Sequence, residues 1–207
     1  MDQKALSHNK IVSICTALLL FGCSAPIAEK PNNIFEKVDV SQIPQDTIFS
    51  NSQSLKLQNG VYYYDNIPFS GYIKSMYNSN FLQNVGSYLQ GKQHGITKTF
   101  YPNGKLETER NYKNGIGYGR HFGFWGNGKM KFDFIYFNDK REGIQKQWYV
   151  SGTPYYELTF TDDKENGMQK AWRENGKPYI NYEVKDGIQY GLQKSALCYT
   201  LKDEKFK

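Results

Sequence analysis

The sequence predicts an all-β fold, an extended, twisted antiparallel sheet of stacked 24-residue β-hairpins, and three observations carry that prediction. The apolar content is largely aromatic, with 17 Tyr, 13 Phe and 3 Trp beside 19 Gly and only 7 Pro, a mixture that favours strands joined by glycine turns. Gly71, Gly95, Gly119, Gly143, Gly167 and Gly191 recur every 24 residues without a slip, which marks a tandem array. Asn-Gly pairs stand between alternating segments, the strongest short-range hairpin signal.

The elements follow in chain order. In residues 1–22, Lys4 and Lys10 precede an apolar run from Ile11 to Phe21, the charged and hydrophobic regions of an export signal. A largely apolar run of eleven residues falls short of the ~20 that cross a bilayer as a helix. Leu20-Phe21-Gly22-Cys23 resembles a bacterial lipoprotein signal, and the resemblance implies that Cys23 is acylated, palmitate included, and becomes the mature N-terminus. It implies a lipid-anchored protein of the bacterial cell envelope. Residue 24 is Ser rather than Asp, which by the same analogy favours the outer membrane in a Gram-negative host. Residues 23–54 are polar and aperiodic and hold three of the seven prolines, the composition of a flexible tether, part of which ("IFEKVDV") is expected to pack on the domain.

The repeat domain is read as 55–207. Residues 59–71, "NGVYYYDNIPFSG", form an incomplete leading unit and the degenerate last unit a trailing one, both acting as caps. Between them, columns of like residues recur. Five positions after the marker glycines stand Met76, Phe100, Phe124, Trp148 and Trp172; three after them stand Lys74, Lys98, Lys146, Lys170 and Lys194; seventeen after them stand Tyr88, Tyr112, Tyr136, Phe160 and Val184. A two-residue type I′ turn at Asn103-Gly104 pairs residues whose numbers sum to 207. On that map Lys98 faces Glu109, Lys146 faces Glu157, Lys170 faces Asn181, Lys74 faces Val85, and Tyr112 faces Gly95. Beside the turns, Tyr101 faces Leu106, Trp125 faces Met130 and Tyr149 faces Pro154. Leu106, Met130, Phe132, Phe134, Tyr136, Tyr156, Leu158, Phe160, Ile180, Tyr182 and Val184 then share the face expected to be the core.

The candidate binding residues lie on the other face: Phe100, Phe124, Trp148 and Trp172 as aromatic contacts, and Lys98, Lys146 and Lys170 as orienting charges. A ladder of lysines suits an anion, but cross-strand glutamates make ordinary ion pairs the plainer reading. A net charge of +6 without any run of basic residues does not describe a nucleic-acid site. No cofactor or metal motif is present: His94 and His121 have no partners at ligand spacing and read as surface residues near turns. Cys15 would leave with the signal, and Cys198 sits in the degenerate last unit. "GIGYG", 115–119, is a turn without the helix of a phosphate loop, and no paired carboxylates stand out, so the chain does not read as an enzyme.

At "YPNGKLETERNYKNGIGYG", "WGNGKMKFDFIYFNDKREG" and "RENGKPYINYEVKDGIQYG" the repeat resembles the variant MORN (membrane occupation and recognition nexus) repeat over residues 57–194. Proteins built this way are often grouped as YwqK-family antitoxins. The resemblance implies a sheet of stacked hairpins that serves as an interaction module, with no catalytic residues. The expected role is therefore protein binding or scaffolding at the envelope, held at the membrane through Cys23. The alternatives are an antitoxin or immunity protein that neutralises a toxin, and direct binding of anionic lipid or cell-wall glycan.

Overall fold

The computed structural model describes residues 37–192 apart from Ser79, and within them the chain is all-β. The strands are β1 (Thr47–Phe49), β2 (Leu55–Gln58), β3 (Val61–Tyr64), β4 (Ile67–Pro68), β5 (Gly71–Met76), β6 (Leu82–Leu89), β7 (Lys92–Phe100), β8 (Leu106–Lys113) and β9 (Ile116–Gly117). They continue with β10 (Gly119–Phe124), β11 (Met130–Phe137), β12 (Lys140–Arg141), β13 (Gly143–Trp148), β14 (Pro154–Thr161), β15 (Lys164–Trp172), β16 (Pro178–Lys185) and β17 (Ile188–Leu192). One large sheet runs β1-β5-β6-β7-β8-β10-β11-β13-β14-β15-β16-β17, with β9 and β12 as short extensions, and β2-β3-β4 form a small sheet. Every neighbour is antiparallel except β1, which lies parallel to β5. That pairing belongs to the 23–54 segment, of which residues 37–54 lie on the sheet: Ile43 is buried and Val40 covers Gly95.

The two Asn-Gly pairs of the third unit make different turns. At Pro102-Asn103-Gly104 the loop has three residues: Gly104 N–H donates to Tyr101 O (2.8 Å), Tyr101 N–H to Lys105 O (2.9 Å), and Lys105 N–H to Asn103 Oδ1 (3.1 Å). Only Gly104, at φ 79°, is left-handed. At Asn114-Gly115 both residues are left-handed, at 54° and 85°, which is the two-residue type I′ turn. The expectation of a type I′ turn at Asn103-Gly104 is thus corrected, and the reason is loop length.

The extra loop residue shifts the pairs beside the turn. Phe100 faces Leu106 and Thr99 faces Thr108, so a bulge restores the 207 sum from there outward, and Lys98 meets Glu109 and Gly95 meets Tyr112 as expected. Likewise Phe124 faces Met130 and Trp148 faces Pro154, in place of Trp125 and Tyr149. Leu106 and Met130 therefore belong to the face of Phe100 and Phe124, not to the core face.

The marker glycines have one conformation in common. All six have positive φ, from 68° to 141°, a region that a side chain rarely tolerates. At Gly119, Gly143 and Gly167 the ladder between hairpins opens, and the residue two positions on closes it with its side chain. His121 Nε2 meets Asn111 O (2.6 Å), Gln145 Nε2 donates to Ile135 O (3.1 Å) and Gln169 Nε2 to Thr159 O (2.8 Å). His121 is accordingly buried, as is His94, whose Nδ1 lies 2.8 Å from Asn114 Oδ1 and Nε2 2.9 Å from Asp39 O. Neither is the surface residue expected.

The core face is thinly covered. At its N-terminal end Phe69, Ile73 and Tyr88 are buried under Tyr62 and Tyr64 of the small sheet, which acts as the leading cap. Farther along, Phe132 and Phe160 are buried, but Phe134, Tyr136 and Tyr156 are half-buried and shelter one another, with Phe132–Phe134 centroids at 4.9 Å and Phe134–Tyr156 at 6.4 Å.

Consecutive hairpins are tied at both ends. At the loop end Tyr77 Oη donates to Phe100 O (2.9 Å), Tyr101 Oη to Phe124 O (2.8 Å), Trp125 Nε1 to Trp148 O (3.1 Å) and Tyr149 Oη to Trp172 O (3.0 Å). At the other end the type I′ turns donate backward: Gly91 N–H to Phe69 O, Gly115 N–H to Gln93 O, Asp139 N–H to Gly117 O and Asp163 N–H to Arg141 O. Removing one such hydroxyl costs about 1 kcal/mol. Tyr101→Phe and Tyr149→Phe should each lower the unfolding free energy by that amount in urea titrations, and a loss under a few tenths would refute the role of the ties.

His121 also makes a pH prediction. Burial, with Arg110 nearby, pushes its pKa below 6.5, although the Asn111 carbonyl and Asp139 favour the charged form. As pH falls below about 6.5 the unfolded chain takes up a proton that the folded chain resists, so stability falls. Gln fills this column in the next two units, and His121→Gln should keep the fold while losing that acid sensitivity. Melting temperatures of the two proteins between pH 7.5 and 5 should diverge toward acid; parallel curves would refute it.

Candidate binding face

Strand register places the predicted residues on one face. A single row of facing residues crosses the large sheet: Phe49, Lys74, Val85, Lys98, Glu109, Phe122, Asp133, Lys146, Glu157, Lys170, Asn181, ending at position 192. Three of its members are the predicted lysines. Lys98 Nζ lies 3.2 Å from Glu109 Oε2 and Lys146 Nζ 3.2 Å from Glu157 Oε1, while Lys170 has Glu157 on one neighbouring strand and Asn181 on the other. Asp133 accepts two bonds from Arg120, at 2.7 and 2.9 Å. The row therefore mixes both signs and is no cationic strip, and exposed pairs of this kind contribute under about 1 kcal/mol each.

Lys74 differs from the rest: its ammonium sits 4.6 Å above the Phe49 ring. The lysine column is interrupted at Phe122, whose ring is covered by the Arg120 guanidinium at 4.8 Å and meets Phe124 edge-on at 5.8 Å.

Two residues toward the loops runs an apolar row: Met76/Leu82, Phe100/Leu106, Phe124/Met130, Trp148/Pro154 and Trp172/Pro178 are facing pairs. The four predicted aromatics are thus brought together, at a repeat of two strand spacings or about 10 Å. Each is half-buried. On the other side of the charged row, Ile96, Ile144 and Met168 are 39%, 46% and 40% exposed. The sequence reading missed these three. Their signal was the position one after the marker glycine, which carries Ile96, Ile144 and Met168 and is interrupted by Arg120.

Cys23 and Cys198 lie outside the described residues. Among the described residues, no group of three or more His, Cys, Asp or Glu side chains is placed to hold a metal ion.

Residues 93–114, which span β7, the three-residue loop and β8, match the family model of the MORN repeat variant. Over that hairpin the chain is similar to one MORN repeat. No curated protein matches the sequence. The matched segment includes Lys98, Phe100 and Glu109, so the hairpin that carries the first of the predicted contacts is the one recognised as a repeat. A MORN repeat suggests a protein- or membrane-binding module.

The ion-pair row yields a small-effect prediction. Lys98→Ala and Lys146→Ala should each change the unfolding free energy by less than about 0.5 kcal/mol, measured by chemical denaturation. A loss above 2 kcal/mol would mean the row holds the sheet together rather than decorating it.

Proposed function

We propose that this chain is a lipid-anchored protein of the bacterial envelope whose MORN-repeat sheet binds a protein partner through the face bearing Phe100, Phe124, Trp148 and Trp172. The observation that supports the reading is the unbroken apolar row on that face, with a second apolar column at Ile96, Ile144 and Met168. Aromatic anchors at a fixed spacing give a partner several equivalent footholds, and contacts made together multiply in strength. Between the apolar rows the charges are answered within the sheet, which supports a protein surface as the ligand over an anionic lipid. Lys98, Lys146 and Lys170 then orient the partner rather than attract it from afar.

The anchor rests on the resemblance of Leu20-Phe21-Gly22-Cys23 to a lipoprotein signal. Acyl chains on Cys23 would supply the membrane affinity, at about 0.8 kcal/mol per buried CH₂, leaving the sheet face free for protein.

Each half has its own test. Cys23→Ser should abolish incorporation of labelled palmitate and move the chain out of the membrane fraction; continued labelling would sink the anchor. Replacing Phe100, Phe124, Trp148 and Trp172 together by Ala should weaken capture of the partner from detergent-solubilised envelope tenfold or more. Undiminished capture by a folded variant would remove the face from the binding site.

A further inference from the structure

We infer that the partner seated on this face is a second copy of the chain, related by a twofold axis that runs parallel to the strands between β10 and β11. The inference rests on the protein-binding reading above and names its partner. The observation is the order of charges along the central row, which is self-complementary about its midpoint, the boundary between Phe122 and Asp133.

The twofold axis lays strand on strand in reverse order, so that β7 crosses β14 and β8 crosses β13. Lys98 then meets Glu157 of the second copy, and Glu109 meets its Lys146. Farther out Val85 meets Lys170, and Lys74 meets Asn181. At the centre Phe122 meets Asp133, a carboxylate already held by Arg120. No like charges face each other anywhere along the row. A slip by one strand destroys this: Lys98 would oppose Lys170 and Glu109 would oppose Glu157. A slip by a whole hairpin keeps the signs, as the period requires, but gives up two strands of overlap.

The same operation keeps the loop-side apolar row on itself, while on the other side of the charged row Ile96 falls on Thr159 and Ile144 on Asn111. In the loop-side row Phe100 falls on Pro154, Leu106 on Trp148, Phe124 on Met130 and Leu82 on Trp172, apolar on apolar in every case. A twofold axis running across the strands would instead set each charge against its own copy. Two sheets packed face to face with strands nearly aligned, separated by roughly 10 Å of side chains, is an ordinary arrangement. Ten strands at about 4.8 Å, three side-chain rows deep, bury on the order of 700–800 Å² per copy, the size of a specific interface.

The test uses the full chain in mild non-ionic detergent, examined by analytical ultracentrifugation. The wild type should sediment as a dimer. K98E and E157K should each weaken self-association tenfold or more, because each sets like charges together twice per dimer. Mixing the K98E chain with the E157K chain one to one should restore the dimer, since one half then holds the reversed pair and the other half the native Lys98–Glu157 pair. A wild type that stays monomeric at roughly 100 μM, where a micromolar dimer would be populated, overturns the inference. So does a dimer indifferent to both substitutions, or a mixture that does not recover. If the chain is monomeric while the four-alanine variant still loses capture from the envelope, self-pairing falls and the protein-binding face stands, so the two fail separately.

Discussion

Apart from the small sheet β2-β3-β4, the described residues lay no second sheet against the large one, and the other features of the array answer to that constraint. Beyond the small N-terminal cap sheet, few apolar side chains of the core face are fully buried; Phe132, Phe160, Ala171 and Val184 are among them. Burial of apolar area therefore cannot hold successive hairpins as it would in a sandwich. The ties at the hairpin ends hold them instead, with a ring hydroxyl or indole N–H at the loop end and a turn amide at the other, each reaching a carbonyl in the adjoining hairpin. Because every tie joins nearest neighbours only, stability is distributed along the array as a sum of like terms. The terminal units need caps for the same reason.

The marker glycines belong to this logic. Opening the ladder at Gly119 and Gly143 exposes a carbonyl that one backbone amide does not satisfy alone. Asn111 O takes Tyr118 N–H and His121; Ile135 O takes Glu142 N–H and Gln145. A column of residues able to donate sideways is the physical counterpart of the glycine column. It is harder to see in sequence because His and Gln share a function but not a name.

Legibility follows the same division. The repeat, its period and its distant cross-strand pairs could be read because glycine conformation and strand alternation impose them locally. The pairs beside the loops could not. Asn103-Gly104 and Asn114-Gly115 are the same dipeptide, and what separates a three-residue loop from a type I′ turn is where the flanking ladders end, a property of the whole hairpin. The bulge between Leu106 and Thr108 then cancels the shift, which is why Lys98 found Glu109 although Tyr101 did not find Leu106. The aromatic column was visible by size, whereas Ile96, Ile144 and Met168 were hidden among ordinary strand residues until register set them on the face of Phe100. His94 and His121 were misplaced for a related reason: isolated histidines near turns are usually wet, and here the partners that bury them come from 10, 20 and 55 residues away.

What the two faces ask of a ligand differs. On the core face the rings are engaged with each other, so a ligand would have to displace contacts the sheet itself uses. On the opposite face the charges are already paired within the chain and the apolar rows are left beside them. Such a surface gains little from a diffuse anionic layer, because Lys98 and Lys146 bring their carboxylates with them and Lys170 has Glu157 beside it. It gains most from a rigid partner that repeats at the same interval of about 10 Å, since each matched hairpin then adds its contribution without a new entropic penalty for association. A second sheet built on the 24-residue period satisfies that requirement by construction.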